Sequence, residues 1–145
     1  MKKWYPLFLL LFVTSCSSSI KCDTNKQNGC IKILFLGNSY TYVNDLPFVL
    51  SSLAKSGGHL LETGISAGGG WTLLDHANNP KTIQLIQDND WTYVVLQEQS
   101  EIPAVESSRL VSMYPAIRIL TETIRQSHAI PLLFVTWAHR DGIKE

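Results

Sequence analysis

Four short apolar runs alternate with stretches of helical spacing, and this alternation constrains the fold more than any other feature. The first run is Ile31-Lys32-Ile33-Leu34-Phe35-Leu36, rich in strand-forming residues and stopped by Gly37-Asn38-Ser39. A weaker strand is expected near His59 to Ile65, followed by a glycine-rich loop from Gly64 to Gly70. Trp91 to Leu96 reads as a buried strand, and Ile130 to Trp137 as a last one. Between them lie helix signals. Asp45 and Pro47 open a helix with Phe48, Val49, Leu50, Leu53 and Ala54 as its apolar residues, and Gly57-Gly58 closes it. Asn79-Pro80 starts a second, with Ile83, Leu85 and Ile86 on its apolar side. Pro103 opens a third region, where Leu110, Met113, Tyr114, Ile117, Leu120 and Ile124 keep helical spacing and Pro115 is expected to kink or split the helix.

Strands that alternate with helices and read as near-continuous apolar runs predict an α/β protein. Its parallel sheet should be buried on both faces. No internal repeat is present. At 145 residues, one domain is expected. Twelve Lys and Arg balance twelve Asp and Glu, and no basic stripe gathers on one face, which argues against nucleic acid as a partner.

The amino-terminal residues are a different kind of text. Met1-Lys2-Lys3 is a short positive start, Trp4 to Val13 is apolar except for Pro6, and Thr14-Ser15 are small. This is the pattern of a secretory signal, and the run is shorter than the roughly 20 residues of a permanent membrane helix. Val13-Thr14-Ser15-Cys16 resembles the lipobox of bacterial lipoproteins. The resemblance implies cleavage before Cys16 and lipidation of its thiol, and two or more acyl chains suffice for stable anchoring. The organisation expected is a signal peptide over 1–15, a lipidated cysteine and tether over 16–30, and the folded domain over 31–145. The location is then extracytoplasmic, held by lipid to a bacterial membrane, at the outer membrane or cell surface. Export makes a Cys22–Cys30 bridge permissible without requiring it. With no His or further Cys near, neither is expected to bind a metal.

In a parallel sheet, ligands bind beyond the carboxyl ends of the strands. There the sequence places Gly37-Asn38-Ser39, then Ser66 with Gly68-Gly69-Gly70, then Gln97-Glu98-Gln99-Ser100, and last Trp137 with His139-Arg140-Asp141. A serine in a tight turn past a buried strand can present its hydroxyl to a cleft, as nucleophilic catalysis needs. An oxyanion hole needs donors aimed at one point. A glycine after the second strand and an amide side chain after the third are suited to that, which singles out Gly70 and Gln99. The commoner fate of such a serine is to cap a helix or turn. Phosphate binding by Gly68-Gly69-Gly70 is disfavoured, because no Gly-Lys-Ser/Thr follows.

These blocks resemble those of the SGNH (GDSL-like) hydrolases. Gly37-Asn38-Ser39-Tyr40-Thr41 is similar to the first block, with Asn38 where aspartate is usual. Gly70-Trp71-Thr72 is similar to the second, and Leu96-Gln97-Glu98-Gln99-Ser100 lies where the third, Gly-x-Asn-Asp, follows a buried strand. The resemblance spans roughly Ile31 to Gly142. It implies a three-layer α/β/α, flavodoxin-like fold and an esterase or acyl-esterase reaction without cofactor or metal. Ser39 would be the nucleophile. The Ser39 and Gly70 N–H groups and the Gln99 side chain would hold the oxyanion. Implied partners are an ester-bearing small molecule or an acylated carbohydrate, and the membrane through the anchor.

One block departs from the family pattern. The late Asp-x-x-His is missing: Asp141-Gly142-Ile143-Lys144 sets Lys where the His would fall, directly after the fourth strand. The sheet is therefore expected to be incomplete at the C-terminus, as in a truncated or fragmentary hydrolase. A serine is a weak nucleophile without a base, and losing the base costs a serine protease about 10⁶ in turnover. Near-inactivity is the expectation unless His139 or His76 serves; His59 and His128 flank strands and have no site argument. The alternative is a non-catalytic surface lipoprotein in which Trp71 and Trp137 offer aromatic surface to glycans or a partner.

Overall fold

The computed structural model describes Cys22 and residues 29–136. Four strands, β1 (Ile31–Gly37), β2 (Leu61–Ala67), β3 (Tyr93–Gln97) and β4 (Ile130–Phe134), form one parallel sheet in the order β2-β1-β3-β4. This is the doubly wound order whose crevice opens between β1 and β3, where the chain reverses direction across the sheet. Every crossover carries helix. The fold is a three-layer α/β/α sandwich.

Alternation along β1 assigns the two faces. Leu34 and Leu36, with Val94 and Leu96 of β3, are buried with Leu73, Ile86, Ala116, Leu120 and Ile124. Those five residues belong to α3 (Leu73–Ala77), α4 (Pro80–Gln87) and α6 (Tyr114–Gln126). Phe35 points the opposite way and is also buried. On that side α2 (Leu46–Ser56) packs on β2. Two further short helices are α1 (Ser39–Tyr42), next to β1, and α5 (Glu106–Ser108).

Helix termini follow their local chemistry. Asp45 caps α2 from a left-handed conformation, φ 46°, with Pro47 in the first turn and Gly57 at the end. Asn79 caps α4 with its side-chain oxygen on the Lys81 and Thr82 N–H groups. Thr72 and Asp75 close a capping box on α3, a helix the apolar spacing did not reveal because it is only one turn long. Pro115 does not split the third helical region, which stays helical from Glu106 to Gln126. The residues just before the proline, Arg109–Met113, widen into a π-turn in which the Tyr114 N–H reaches the Arg109 carbonyl. A wider turn accommodates a residue that has no N–H and whose ring crowds the preceding turn.

Three further expectations are corrected. The glycine-rich loop begins at Gly68, not Gly64, because β2 runs on to Ala67. Gly64 lies in that strand beneath the Trp91 ring, where any Cβ would collide with the indole. On α2, Phe48, Val49 and Leu53 are exposed, and the buried residues are Pro47 and Ser51. Helix α2 therefore meets the sheet along an edge of its apolar surface. Finally, β4 is not buried on both faces. Among the described residues it is the sheet's edge, and Ile130, Leu132, Leu133 and Phe134 are all exposed.

Cys22 and Cys30 form a disulfide. The Cys22 N–H donates to Glu62 Oε2 at 2.7 Å, which ties the segment before β1 to β2. Residues 1–21, and with them Cys16 and the signal, lie outside the described residues, as do Trp137, His139 and the Asp141–Lys144 stretch. Among the described residues, no helix is long and apolar enough to cross a membrane.

Candidate active site

Strand β1 ends at Gly37, and the chain turns at once into α1 with Asn38 as its N-cap and Ser39 as its first residue. Five hydrogen bonds fix this turn. The Asn38 N–H donates to Gln97 Oε1 at 2.9 Å, and the Thr41 hydroxyl donates to the same oxygen at 2.9 Å. The Asn38 side chain accepts from the Tyr40 N–H and donates through Nδ2 to the Trp71 carbonyl at 3.1 Å. The Gly37 carbonyl receives the ring of His76, Nε2 to O 2.9 Å. Gly37 itself admits no side chain, since a Cβ there would fall on Thr41 Oγ1 and Gln97 Oε1. The first glycine of the serine block is thus a close-approach glycine with ordinary negative φ.

The β2 and β3 segments are knitted to the same turn. Glu98 is buried, and its Oε1 accepts from the Leu73 N–H at 3.0 Å and the Gln99 N–H at 2.7 Å. Gln97 Nε2 donates to the Glu98 carbonyl at 2.6 Å. One hydrogen-bonded network therefore joins Asn38, Trp71, Leu73, Gln97, Glu98 and Gln99, drawn from the ends of β1, β2 and β3. The three sequence blocks converge on one edge of the sheet.

Within that convergence, Ser39 is half-buried. Neither its N–H nor that of Gly70 has an acceptor among the described residues. Gly70 is exposed and left-handed, φ 71°, with open space where a Cβ would stand. The Gln99 side-chain oxygen, Oε1, accepts from the Glu101 and Ile102 N–H groups at 2.7 and 3.2 Å, capping the next turn. That leaves the NH₂ end of the amide as its donor, the polarity an oxyanion requires.

The histidines separate cleanly. His76 is fully buried on α3, with Nε2 on the Gly37 carbonyl and Nδ1 3.4 Å from the Thr82 hydroxyl, which in turn meets Ser66 Oγ at 2.9 Å. Burial lowers its pKa, outweighing the Gly37 carbonyl and Asp75, so the ring is neutral with its proton on Nε2. With both nitrogens engaged below the serine turn, His76 supports that turn and is not placed as a base. His59 and His128 precede β2 and β4, at the opposite end of the parallel sheet from Ser39. A seven-residue strand separates the two ends by about 20 Å.

Trp71 is half-buried. Its ring covers Gly68, where a Cβ would collide with it, and meets the His76 ring edge-on at 4.9 Å between centroids. The aromatic surface expected there is spent largely on packing. Among the described residues, no cluster of three His, Cys, Asp or Glu side chains is arranged to hold a metal ion.

Gln97 and Glu98 hold the candidate site together, and sequence reasoning passed over them in favour of Gln99. Their signal was position: the last strand residue and the one after it, polar at the end of an apolar run.

No family model and no curated protein matches the sequence. Among solved structures, the chain is similar to a DUF4886 family protein from Bacteroides uniformis, with a TM-score of 0.60 and 21% identity. The match covers 75% of this chain and 51% of that one, so this chain spans about half the length of its structural neighbour. At that identity the likeness shows the fold.

Proposed function

We propose that this chain carries the nucleophile and oxyanion portion of an exported, lipid-anchored ester hydrolase resembling the SGNH type. The observation that carries the reading is the state of Ser39. It sits at the switch point of the sheet, in a turn fixed by Gln97, Trp71 and His76, with neither its own N–H nor the Gly70 N–H finding an acceptor among the described residues. Backbone donors without a partner suit a developing negative charge. Ser39 Oγ attacks an ester carbonyl, the carbonyl oxygen is received by those two N–H groups and the Gln99 amide, and the alcohol departs to leave an acyl-serine that water hydrolyses. The base is a histidine other than His59, His76 and His128, which leaves His139 or one supplied beyond the described residues. The Cys22–Cys30 disulfide supports passage through an oxidising compartment, in keeping with a signal over 1–15 and an anchor at Cys16.

The test is hydrolysis of p-nitrophenyl acetate by the complete gene product, prepared without residues 1–15 and with Cys16→Ser. Ser39→Ala should lower kcat/KM at least about 10³-fold. Equal turnover would remove Ser39 from the mechanism. Separately, Cys16→Ser in cells should abolish incorporation of labelled palmitate.

A further inference from the structure

We propose that the Cys22–Cys30 disulfide orients the domain on its membrane anchor, with the amino-terminal ends of the strands toward the bilayer and the Ser39 edge turned away from it. The inference rests on the reading of Cys16 as the lipid-bearing residue and of Ser39 as the nucleophile. Both bridged cysteines lie at one end of the sheet. Cys30 immediately precedes β1, and the Cys22 N–H donates to Glu62 Oε2, on the second residue of β2. Ser39, Gly70 and Gln99 follow the opposite ends of β1, β2 and β3.

Chain length decides how far the domain can turn. Six residues lead from Cys16 to Cys22. Whatever path they take, they span at most about 20 Å. Glu62 pairs with Lys32, and from Lys32 the chain climbs nearly the whole of β1 to reach Ser39. That rise is itself about 20 Å. Bringing Ser39 down to the bilayer would need the tether drawn out to its full length along the flank of the sheet. Without the bridge the tether would run on to Ile31, fifteen residues from Cys16, and a span of about 50 Å lets the domain turn over. The disulfide thus shortens the tether and fixes its point of attachment. An acyl lipid of the anchoring bilayer is then out of reach of Ser39, and the ester comes from the aqueous side.

The test needs neither cellular lipidation nor hydrolysis. The complete gene product, prepared from Cys16 on, is coupled through that thiol to a maleimide phospholipid, the other two cysteines of the sequence being bridged. The lipid sits in phosphatidylcholine nanodiscs that carry a spin-labelled headgroup. Amide signals of Gly58, His59, Asn89 and His128, exposed residues that precede β2, β3 and β4, should broaden away, while those of Ser39, Gly70 and Gln99 keep their intensity. Inserting nine Gly and Ser residues between Ser19 and Ile20 lengthens the tether and leaves the bridge intact. Broadening should then reach both edges, as it should in Cys22→Ser with Cys30→Ser. The proposal fails if the two edges broaden alike in the native chain, or if the lengthened tether leaves the pattern unchanged. Failure of the anchor is read separately, as absent palmitate incorporation, and failure of the Ser39 chemistry as equal p-nitrophenyl acetate turnover in Ser39→Ala.

Discussion

The Asn38 N–H and the Gln97 side-chain oxygen lie 2.9 Å apart, and this one contact ties the serine turn to the end of β3. The same oxygen takes the Thr41 hydroxyl, so a single buried amide holds both sides of α1. Gln97→Leu keeps the volume and removes the acceptor. Two buried donors then lose their partner, at about 2–4 kcal/mol in total. Urea unfolding should show a lower midpoint with an unchanged slope. A midpoint equal to that of the native chain would mean the turn is held by other contacts.

Gly37→Ala tests the close approach beneath Ser39. A methyl group there overlaps Thr41 Oγ1 and Gln97 Oε1, neither of which can withdraw without breaking the contact just described. The expected cost is about 1–3 kcal/mol. Gly70→Ala is the contrast. Space is open at Gly70, so only the left-handed backbone resists the substitution, at about 1 kcal/mol. If the two variants unfold together, the crowding at Gly37 is not what sets its cost.

His76 and Glu98 give stability opposite dependences on pH. Burial depresses the His76 pKa below 6.5, so the folded chain binds fewer protons there than the unfolded chain. Its contribution is complete above pH 6.5 and is lost as pH falls toward the depressed folded value. Burial raises the Glu98 pKa above 4.5, so the folded chain binds more protons there. That contribution is complete below pH 4.5 and is lost as pH rises through the raised folded value. Glu98→Gln keeps an oxygen for the Leu73 and Gln99 N–H groups and cannot ionise. It should remove the decline above pH 4.5 and stabilise the fold at neutral pH relative to the native chain. Unfolding free energies measured from pH 4 to 8 check both signs, and a steeper decline in the variant would contradict the assignment.

The disulfide closes a loop between residues eight apart in sequence. A loop of that length, held in the unfolded chain, contributes about 2–3 kcal/mol. Reduction should lower the unfolding midpoint by a corresponding amount and release the Cys22 N–H from Glu62. Amide exchange at Cys22 should accelerate along with it.

Much of the fold was written in local chemistry. Asp45, Pro47 and Gly57 marked α2, Asn79 and Pro80 marked α4, and Pro115 marked the place where the helix widens at the start of α6, because caps and prolines act through their own backbone. The meeting of the segments after β1, β2 and β3, joined through Asn38, Trp71 and Glu98, followed from parallel strands, whose carboxyl ends share one edge. What stayed hidden was tertiary. Nothing local says that His76 will turn inward onto the Gly37 carbonyl, or that Glu98 will be buried with one oxygen unmatched among the described residues. Leu73–Ala77 is too short a helix for periodicity to register. The burial of α2 and β4 depended on neighbours that apolar spacing does not name.

Strand β4 yields the last prediction. Pairing sets Leu132 beside Val95 and Phe134 beside Gln97, so Ile130, Leu132 and Phe134 share one face of the edge strand, and all three are exposed, Ile130 by 52%. Contiguous exposed apolar surface on a strand that is the sheet's edge among the described residues invites association. A lysine at Leu132 keeps its stem along the sheet and its ammonium in water. Leu132→Lys should therefore cost less than about 1 kcal/mol. Leu120→Lys, at a fully buried position of α6, should unfold the domain. The surface variant should also sediment with less self-association than the native chain as concentration rises. Equal association in both would show that this face is not the adhesive one, and a large loss of stability in Leu132→Lys would show that β4 is covered in solution.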